Sequence, residues 1–202
     1  MPTANARNNL ARSAQSSSHL VRGYIKLSDA AKALHFGFRE KTVLDIGSST
    51  GGFTKYALDH GAKKVIAVEK GTNQIMPILR NDPRVELHEK TDIFNFKTNT
   101  SIDVILADVS FLSLTLVLEY VKTHFTSPST EFLVMLKPQF EARPDQLSKG
   151  VVKNSKIRRD IIKHFEQWLK DHGFIIVGKY DNALSGKTGN IEKFYRLVLA
   201  KN

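Results

Sequence analysis

The chain has 202 residues, of which 41% are hydrophobic and 25% are charged. This length fits one α/β domain with at most a short appendage, and the composition excludes a wholly disordered chain. No apolar run approaches the roughly 18 residues of a membrane span, and the amino-terminal segment lacks the apolar core of a secretory signal. The absence of cysteine excludes disulfides and thiolate metal sites, and it favours a reducing, cytoplasmic setting.

The net charge of +10 is concentrated in two segments. Residues 1–28 contain four basic and no acidic residues, whereas residues 143–170 contain eight basic and three acidic residues. These segments together supply nine of the ten net charges. Clustered basic residues indicate a polyanionic partner, above all nucleic acid. The alternative is a basic surface that meets only solvent.

The amino-terminal part of the chain is predicted to be an appendage. Residues 1–20 are rich in Asn, Arg, Ser and Ala, which is typical of a flexible basic arm. Ser28 can serve as an N-cap, so we predict a short helix that begins there and closes at Gly37. Residues 21–202 are assigned to one domain.

The rest of the chain alternates between apolar strands and helices. We predict strands over residues 41–46, 64–68, 84–88, 102–107, 131–136, 174–177 and 194–199, and helices ending near residue 60 and over residues 74–80, 113–125 and 155–172. Continuously apolar strands that alternate with helices predict a doubly wound, largely parallel sheet covered on both faces. The last two strands are joined by a loop with Gly186 and Gly189 instead of a helix, so we predict an antiparallel hairpin.

A glycine-rich segment, Val43-Leu-Asp-Ile-Gly-Ser-Ser-Thr-Gly-Gly-Phe-Thr54, connects the first strand to a helix. Its G-x-x-x-G-G spacing matches neither the dinucleotide fingerprint nor a phosphate-binding P-loop. Missing side chains let the backbone approach a ligand closely, and amides at a helix start favour an anionic group. We predict that this segment binds a cofactor through Gly47, Ser48, Ser49, Gly51, Gly52 and Phe53. The alternative is that it forms only a tight turn.

Acidic residues stand at or just beyond the ends of the first three strands. Asp45 would repel a pyrophosphate but suits an ammonium group. Glu69 lies 22 residues after Gly47, where an acidic residue can accept both hydroxyls of a ribose. Asp92 is placed to meet an adenine amine. This set favours S-adenosylmethionine over NAD as the cofactor.

Two further charged residues end the fourth and fifth strands. Asp108 and Lys137 are expected to emerge on the ligand side of the sheet, because ligands bind at the carboxyl ends of parallel strands. Asp108 is also placed to contact the cofactor. The alternative for Lys137 is an ordinary surface lysine with a buried stem.

Basic residues around the last helix form a second candidate surface. They can grip RNA phosphates, or they can be the solvated face of the helix. With Arg22, the predicted RNA-binding residues are Lys149, Lys153, Lys156, Arg158 and Arg159. The seven histidines show no metal-ligand spacing, so no metal site is expected.

Several of these motifs together resemble a known family. They are the glycine-rich segment, Arg22-Gly-Tyr-Ile-Lys-Leu27, Asp108-Val-Ser-Phe-Leu-Ser-Leu, Leu136-Lys-Pro-Gln-Phe-Glu141, Lys149-Gly-Val-Val and Gly189-Asn-Ile-Glu192. In this order they resemble the hemolysin A (TlyA-like) branch of the FtsJ-type RNA methyltransferases. The resemblance covers about residues 20–200.

The resemblance implies a Rossmann-like, seven-stranded sheet with strand order 3-2-1-4-5-7-6. It implies S-adenosylmethionine-dependent 2′-O-methylation of an RNA ribose, with ribosomal RNA or a ribosomal subunit as the partner. It also implies a catalytic tetrad of Lys26, Asp108, Lys137 and Glu192. The chain departs from the family in two respects. Residues 1–20 are too short for the usual S4-type RNA-binding domain, and Gly23-Tyr24 stands where the family has paired glycines.

The chemistry of a ribose hydroxyl suits these residues. A 2′-hydroxyl is a weak acid, so its attack on a sulfonium methyl requires proton removal. Lys137 can act as the general base if its amine is neutral; burial and a neighbouring cation favour the neutral form, whereas the neighbouring Asp108 favours the charged form. We assign Lys26 as that cation and as a partner of the substrate oxygen. Asp108 would steer the amine, and Glu192 would hold Lys26.

Two other functions are considered. Methylation of a base amine would be expected to use an N/D-P-P-Y/F motif, where this chain has Asp108-Val-Ser-Phe. A catalytically silent RNA- or ribosome-binding protein that keeps the fold is the alternative from another class.

Overall fold

A computed structural model describes residues 4–182 and 189–200, and places side chains from residue 18 onward. The strands are β1 (Thr42–Ile46), β2 (Lys64–Val68), β3 (Val85–His88), β4 (Val104–Ala107), β5 (Glu131–Leu136), β6 (Phe174–Asp181) and β7 (Lys193–Leu199). The helices are α1 (Ala4–Ala33), α2 (Gly52–Asp59), α3 (Pro77–Arg80), α4 (Leu114–Phe125), α5 (Pro138–Glu141) and α6 (Ser155–Asp171). Short 3₁₀ turns occupy Ile93–Asn95 and Pro144–Gln146.

The strands form one sheet in the order β3-β2-β1-β4-β5-β7-β6. Strands β1 to β5 pair in parallel, whereas β7 pairs antiparallel with both β5 and β6. The predicted doubly wound sheet, its strand order and its carboxyl-terminal hairpin are therefore confirmed. The part of the connecting loop around Gly186 lies outside the described residues.

Both faces of the sheet are covered, which explains why the central strands are apolar along their whole length. One cluster joins Leu44 and Ile46 to helices α4 and α6, and the other joins Val43 to helices α1 and α2. In α6 the buried residues Phe165 and Leu169 follow the predicted helical spacing. Each such buried side chain contributes about 1.5–3 kcal/mol of hydrophobic stabilisation.

The amino-terminal helix differs from the prediction. Helix α1 is continuous from Ala4 to Ala33, so Ser28 is buried within it and the predicted helix start at Ser28 is wrong. The reason is the apolar periodicity on both sides of Ser28, which packs against α2 and the sheet. The packed residues are Leu20, Tyr24, Leu27, Ala31 and Leu34. The division into an arm and a domain stays a prediction.

Smaller differences concern element lengths. Strand β6 extends to Asp181, beyond the predicted end at residue 177. Helix α3 begins only at Pro77, and α5, which the sequence did not predict, begins at Pro138 directly after Lys137. Proline at the first helical position is favourable because its fixed φ suits the helix and its missing N–H costs no hydrogen bond there. Among the described helices, none is both long and apolar enough to cross a membrane.

Candidate active site

The glycine-rich segment forms a tight turn against the end of β4. Gly47 has φ +79°, and a Cβ at this position would lie 2.9 Å from the carbonyl oxygen of Asp108. Gly51, with φ +91°, precedes α2, and a Cβ there would lie 2.3 Å from a methyl carbon of Leu79. Both positions therefore require glycine, and the close contact brings Asp108 to the mouth of the turn.

Asp45 lies under this turn and is fully buried. Its Oδ2 accepts a hydrogen bond of 2.6 Å from Thr54 Oγ1, whereas its Oδ1 has no partner among the described residues. Burial raises the pKa of Asp45 to about 7. A buried carboxylate oxygen without a partner is costly, so a cationic group bound at the neighbouring turn would stabilise the ionised form.

A cleft of about 610 Å³ opens beside the turn, at the carboxyl ends of β1, β2 and β4. This volume lies in the range of small-ligand sites. Glu69 and Asp92 both line the cleft, as the sequence predicted. Glu69 is held by backbone N–H groups of Ser49 at 2.9 Å and Gly71 at 2.6 Å. Its free lone pairs can accept hydrogen bonds from ligand hydroxyls.

Asp92 is fixed by two contacts. It forms an ion pair of 2.9 Å with Lys70 and accepts a hydrogen bond of 3.2 Å from the Phe94 amide. The hydrogen bond from Lys70 lowers the pKa of Asp92, so this carboxylate stays ionised. Sequence reasoning missed Lys70, although its position directly after Glu69 placed it at the same sheet edge.

The residues of this region fit S-adenosylmethionine. Glu69 can accept the ribose hydroxyls and Asp92 can accept the adenine amine, while Asp45 offers negative charge for the ammonium group. Ser48 is buried with no hydrogen-bond partner for its Oγ among the described residues, which leaves this hydroxyl available in the turn. Ser49 is exposed and lines the cleft.

Two of the predicted cofactor residues take part in packing between elements, Gly52 against α1 and Phe53 against β7. A Cβ on Gly52 would lie 2.8 Å from Gly23 Cα, and equally close to backbone atoms of Leu20 and Tyr24. Phe53 is buried, with its ring centroid 6.0 Å from that of Phe194. Both residues also border a small cavity of about 120 Å³, so a cofactor role for them stays a prediction.

The first half of the predicted tetrad lies at the ends of β4 and β5. Lys137 Nζ lies 2.5 Å from Asp108 Oδ1, and the two side chains are 11% and 23% exposed. Asp108 Oδ1 has no hydrogen-bond partner among the described residues, so this contact is an ion pair by distance alone. Lys137 Nζ donates its hydrogen bond to Ser110 Oγ at 2.9 Å. The predicted meeting of Asp108 and Lys137 is therefore confirmed.

The second half is contributed by α1 and by the segment before β7. Lys26 Nζ and the Glu192 carboxylate form a buried ion pair and hydrogen bond. The close contact between Gly23 and Gly52 brings α1 near enough for Lys26 to line the same small cavity as Asp108. All four tetrad residues thus surround one region of the molecule.

Other residues at this site were not found from the sequence. His19 and Arg22 line the small cavity. They lie two helical turns and one helical turn before Lys26, respectively. Phe111 is 92% exposed, has φ +61°, and packs its ring 5.0 Å from that of Phe140. Helical spacing from Lys26 could have indicated His19, whereas the loop conformation of Phe111 leaves no pattern in the sequence.

The predicted RNA-binding residues near α6 divide into two kinds. Four are exposed, namely Lys149, Lys153, Lys156 and Arg159. Arg158 instead donates a hydrogen bond of 2.9 Å to Asp181, and so links α6 to the end of β6. Its guanidinium is used within the fold, which weakens the prediction that it contacts RNA. Among the residues described, no cluster of three potential metal ligands occurs.

The fold and the site define a class of protein. Strand β7 is inserted antiparallel between β5 and β6, which distinguishes this sheet from the usual dinucleotide-binding order. With acidic residues placed along a nucleoside-sized cleft, the architecture is that of a Rossmann-like, S-adenosylmethionine-dependent methyltransferase. A family model described as "FtsJ-like methyltransferase" matches residues 20–198. The chain belongs to this family, which confirms the predicted family and its cofactor.

Individual relatives agree with this assignment. Over 182 residues, the chain is 37% identical to "Putative rRNA methyltransferase YqxC" of Bacillus subtilis, covering 86% of this chain and 63% of that protein. Over 182 residues, it is 34% identical to "23S rRNA (cytidine-2′-O)-methyltransferase TlyA" of Campylobacter jejuni, covering 89% of this chain and 71% of that protein. A crystal structure of a "putative hemolysin" from Lactococcus lactis superposes on this chain with a TM-score of 0.83 and 35% sequence identity. The match covers 88% of this chain and 86% of that structure. The chain thus spans about two thirds of the two curated relatives.

Proposed function

We propose that this chain methylates the 2′-hydroxyl of an RNA ribose, with ribosomal RNA as the substrate. The observation that carries the proposal is the convergence of Lys137, Asp108, Lys26 and Glu192 beside a cofactor-sized cleft. The names of the relatives from Bacillus subtilis and Campylobacter jejuni support RNA as the acceptor.

Lys137 is assigned as the general base. Bound S-adenosylmethionine supplies a methyl group activated by the positive sulfur. Once it has lost a proton, the amine of Lys137 would take the proton of the ribose hydroxyl as the oxygen–carbon bond forms and the sulfur–carbon bond breaks. The proton ends on Lys137 Nζ, where Asp108 at 2.5 Å stabilises the resulting ammonium. General-base assistance of this kind contributes typically about 10²–10⁴-fold.

Lys26 is assigned as the group that holds the substrate oxygen. Its ammonium can donate a hydrogen bond to that oxygen and stabilise the negative charge that develops there. Glu192 receives one N–H of Lys26 and keeps the buried cation in place. Holding the oxygen in line with the methyl group and the sulfur supplies a further part of the acceleration.

The exposed basic residues before α6 and in its first turns are assigned to the RNA backbone. Lys149, Lys153, Lys156 and Arg159 project from the surface, and residues 143–170 carry a net charge of +5, from eight basic and three acidic residues. Contacts of this kind position the RNA and make its binding sensitive to salt. Action on ribosomal RNA places the protein in the cytoplasm with the ribosome as its partner.

The test is methyl transfer to ribosomal subunits. Purified protein is incubated with labelled S-adenosylmethionine and subunits from cells that lack the gene, and the RNA is digested for mass analysis of its nucleosides. We expect a 2′-O-methylated nucleoside from the native chain. Lys137→Arg, which keeps a basic side chain but cannot lose its proton near neutral pH, should lower the rate by at least about 100-fold.

Two outcomes would contradict the proposal. Equal transfer by Lys137→Arg would remove Lys137 from the base role. RNA binding by the native chain without any methyl transfer would favour a catalytically silent RNA-binding protein.

A further inference from the structure

Ser110 lies at the reacting end of Lys137. It stands two residues after Asp108 on the loop that follows β4, and its Oγ accepts a hydrogen bond of 2.9 Å from Lys137 Nζ. Ser110 is exposed, whereas the Lys137 side chain is only 11% exposed. The Phe140 ring centroid lies 5.8 Å from Nζ on another side. With Asp108 Oδ1 at 2.5 Å, three groups of the protein therefore lie around Lys137 Nζ.

The geometry of an amine indicates a role for the hydrogen bond from Lys137 to Ser110. A neutral lysine amine has two N–H bonds and one lone pair besides its bond to carbon. Only the lone pair can accept the substrate proton, so its direction decides whether Lys137 can act as a base. Ser110 Oγ holds one N–H by a hydrogen bond of 2.9 Å, whereas Asp108 attracts the amine by charge at 2.5 Å without a directed hydrogen bond. The Ser110 hydrogen bond is therefore the contact that limits the directions left for the lone pair.

We infer that Ser110 is a positioning residue that aims the lone pair of Lys137 at the substrate hydroxyl. The inference rests on the proposed function, because it requires Lys137 to be the base. Asp108 alone could not fix this direction, since rotation about the bond between Cε and Nζ stays possible while one N–H remains near the carboxylate. The hydroxyl of Ser110 supplies the second point that stops this rotation.

The matched variants are Ser110→Thr and Ser110→Val. Threonine keeps the hydroxyl and valine replaces it with a methyl group of nearly the same shape, so steric effects are shared between them. Under single-turnover conditions with saturating cofactor and RNA, we expect Ser110→Val to react at least about ten times more slowly than Ser110→Thr. Dissociation constants for S-adenosylmethionine and for RNA should be alike in the two variants.

A second measurement follows the hydrogen bond itself. In ¹⁵N-labelled protein, hydrogen exchange of the protons on Lys137 Nζ should be slow in the native chain and in Ser110→Thr, and faster in Ser110→Val. Equal rates and equal exchange in the two variants would overturn the inference while Lys137-dependent methyl transfer still stood. Absence of methyl transfer by the native chain would instead overturn the proposed function and this role of Ser110 with it.

Discussion

The two lysine–carboxylate pairs of the predicted tetrad have different surroundings. Lys26 and Glu192 are 166 residues apart in the chain and are both buried. Lys137 and Asp108 end neighbouring strands and remain partly open to solvent. The main difference lies in the carboxylates, because the Glu192 side chain is 5% exposed and the Asp108 side chain is 23% exposed. We propose that the first pair fixes a positive charge at the substrate oxygen and that the second pair takes part in proton transfer.

The largest expected effect tests the difference in burial. Glu192→Gln leaves the buried cation of Lys26 without a counter-charge, so the free energy of unfolding should fall by about 3 kcal/mol. The matched change Asp108→Asn should cost less, about 1 kcal/mol, because the Asp108 side chain is 23% exposed against 5% for Glu192, and Lys137 Nζ keeps its hydrogen bond to Ser110. Denaturant unfolding of both variants measures these values. Similar losses from the two substitutions would mean that the pairs do not differ in the way described.

The next prediction concerns Asp45, a fully buried carboxylate whose Oδ1 has no hydrogen-bond partner among the described residues. Its pKa is raised from 3.8 to about 7, so between these values the unfolded chain ionises while the folded chain keeps the proton. Raising the pH through this window therefore destabilises the fold. Asp45→Asn removes this effect. Its unfolding free energy relative to the native chain should increase by about 2 kcal/mol from pH 5 to pH 7.5. A difference that stays constant with pH would show that the Asp45 carboxyl ionises normally.

The smallest predicted effect concerns the contact that places Lys26. In Gly52→Ala, the new methyl group would lie 2.8 Å from backbone atoms of Gly23 and Tyr24. These are backbone atoms of packed helices, which cannot move away easily. We expect a loss of about 1–2 kcal/mol in unfolding free energy and slower methyl transfer. Gly37→Ala is the control, because a Cβ there meets no atom within 4 Å. If both variants unfold alike, the approach of α1 does not depend on this glycine.

Much of the fold was predictable because buried parallel strands are apolar along their whole length. The strand ends in turn indicated that Asp108 and Lys137 would meet, since neighbouring parallel strands deliver such residues to one sheet edge. The start of α1 was not predictable from Ser28, because the capping preference of one serine is outweighed by apolar packing on both sides of it.

The rest of the site depends on long-range packing and loop conformation. The partnership of Lys26 with Glu192 joins segments 166 residues apart, and only the resemblance to a family suggested it. The hydrogen bond from Lys137 to Ser110 depends on how one loop turns after β4. The hydrogen bond from Arg158 to Asp181 likewise depends on the length of β6, which is longer than the sequence predicted.

The backbone contact between Gly23 and Gly52 has a mechanical consequence. Because no flexible side chain lies between the two helices, a displacement of α1 is passed directly to the turn that precedes α2. A protein or RNA that binds α1 should therefore change the affinity of this protein for S-adenosylmethionine. By thermodynamic reciprocity, binding of S-adenosylmethionine should change the affinity of that partner for α1 by the same factor.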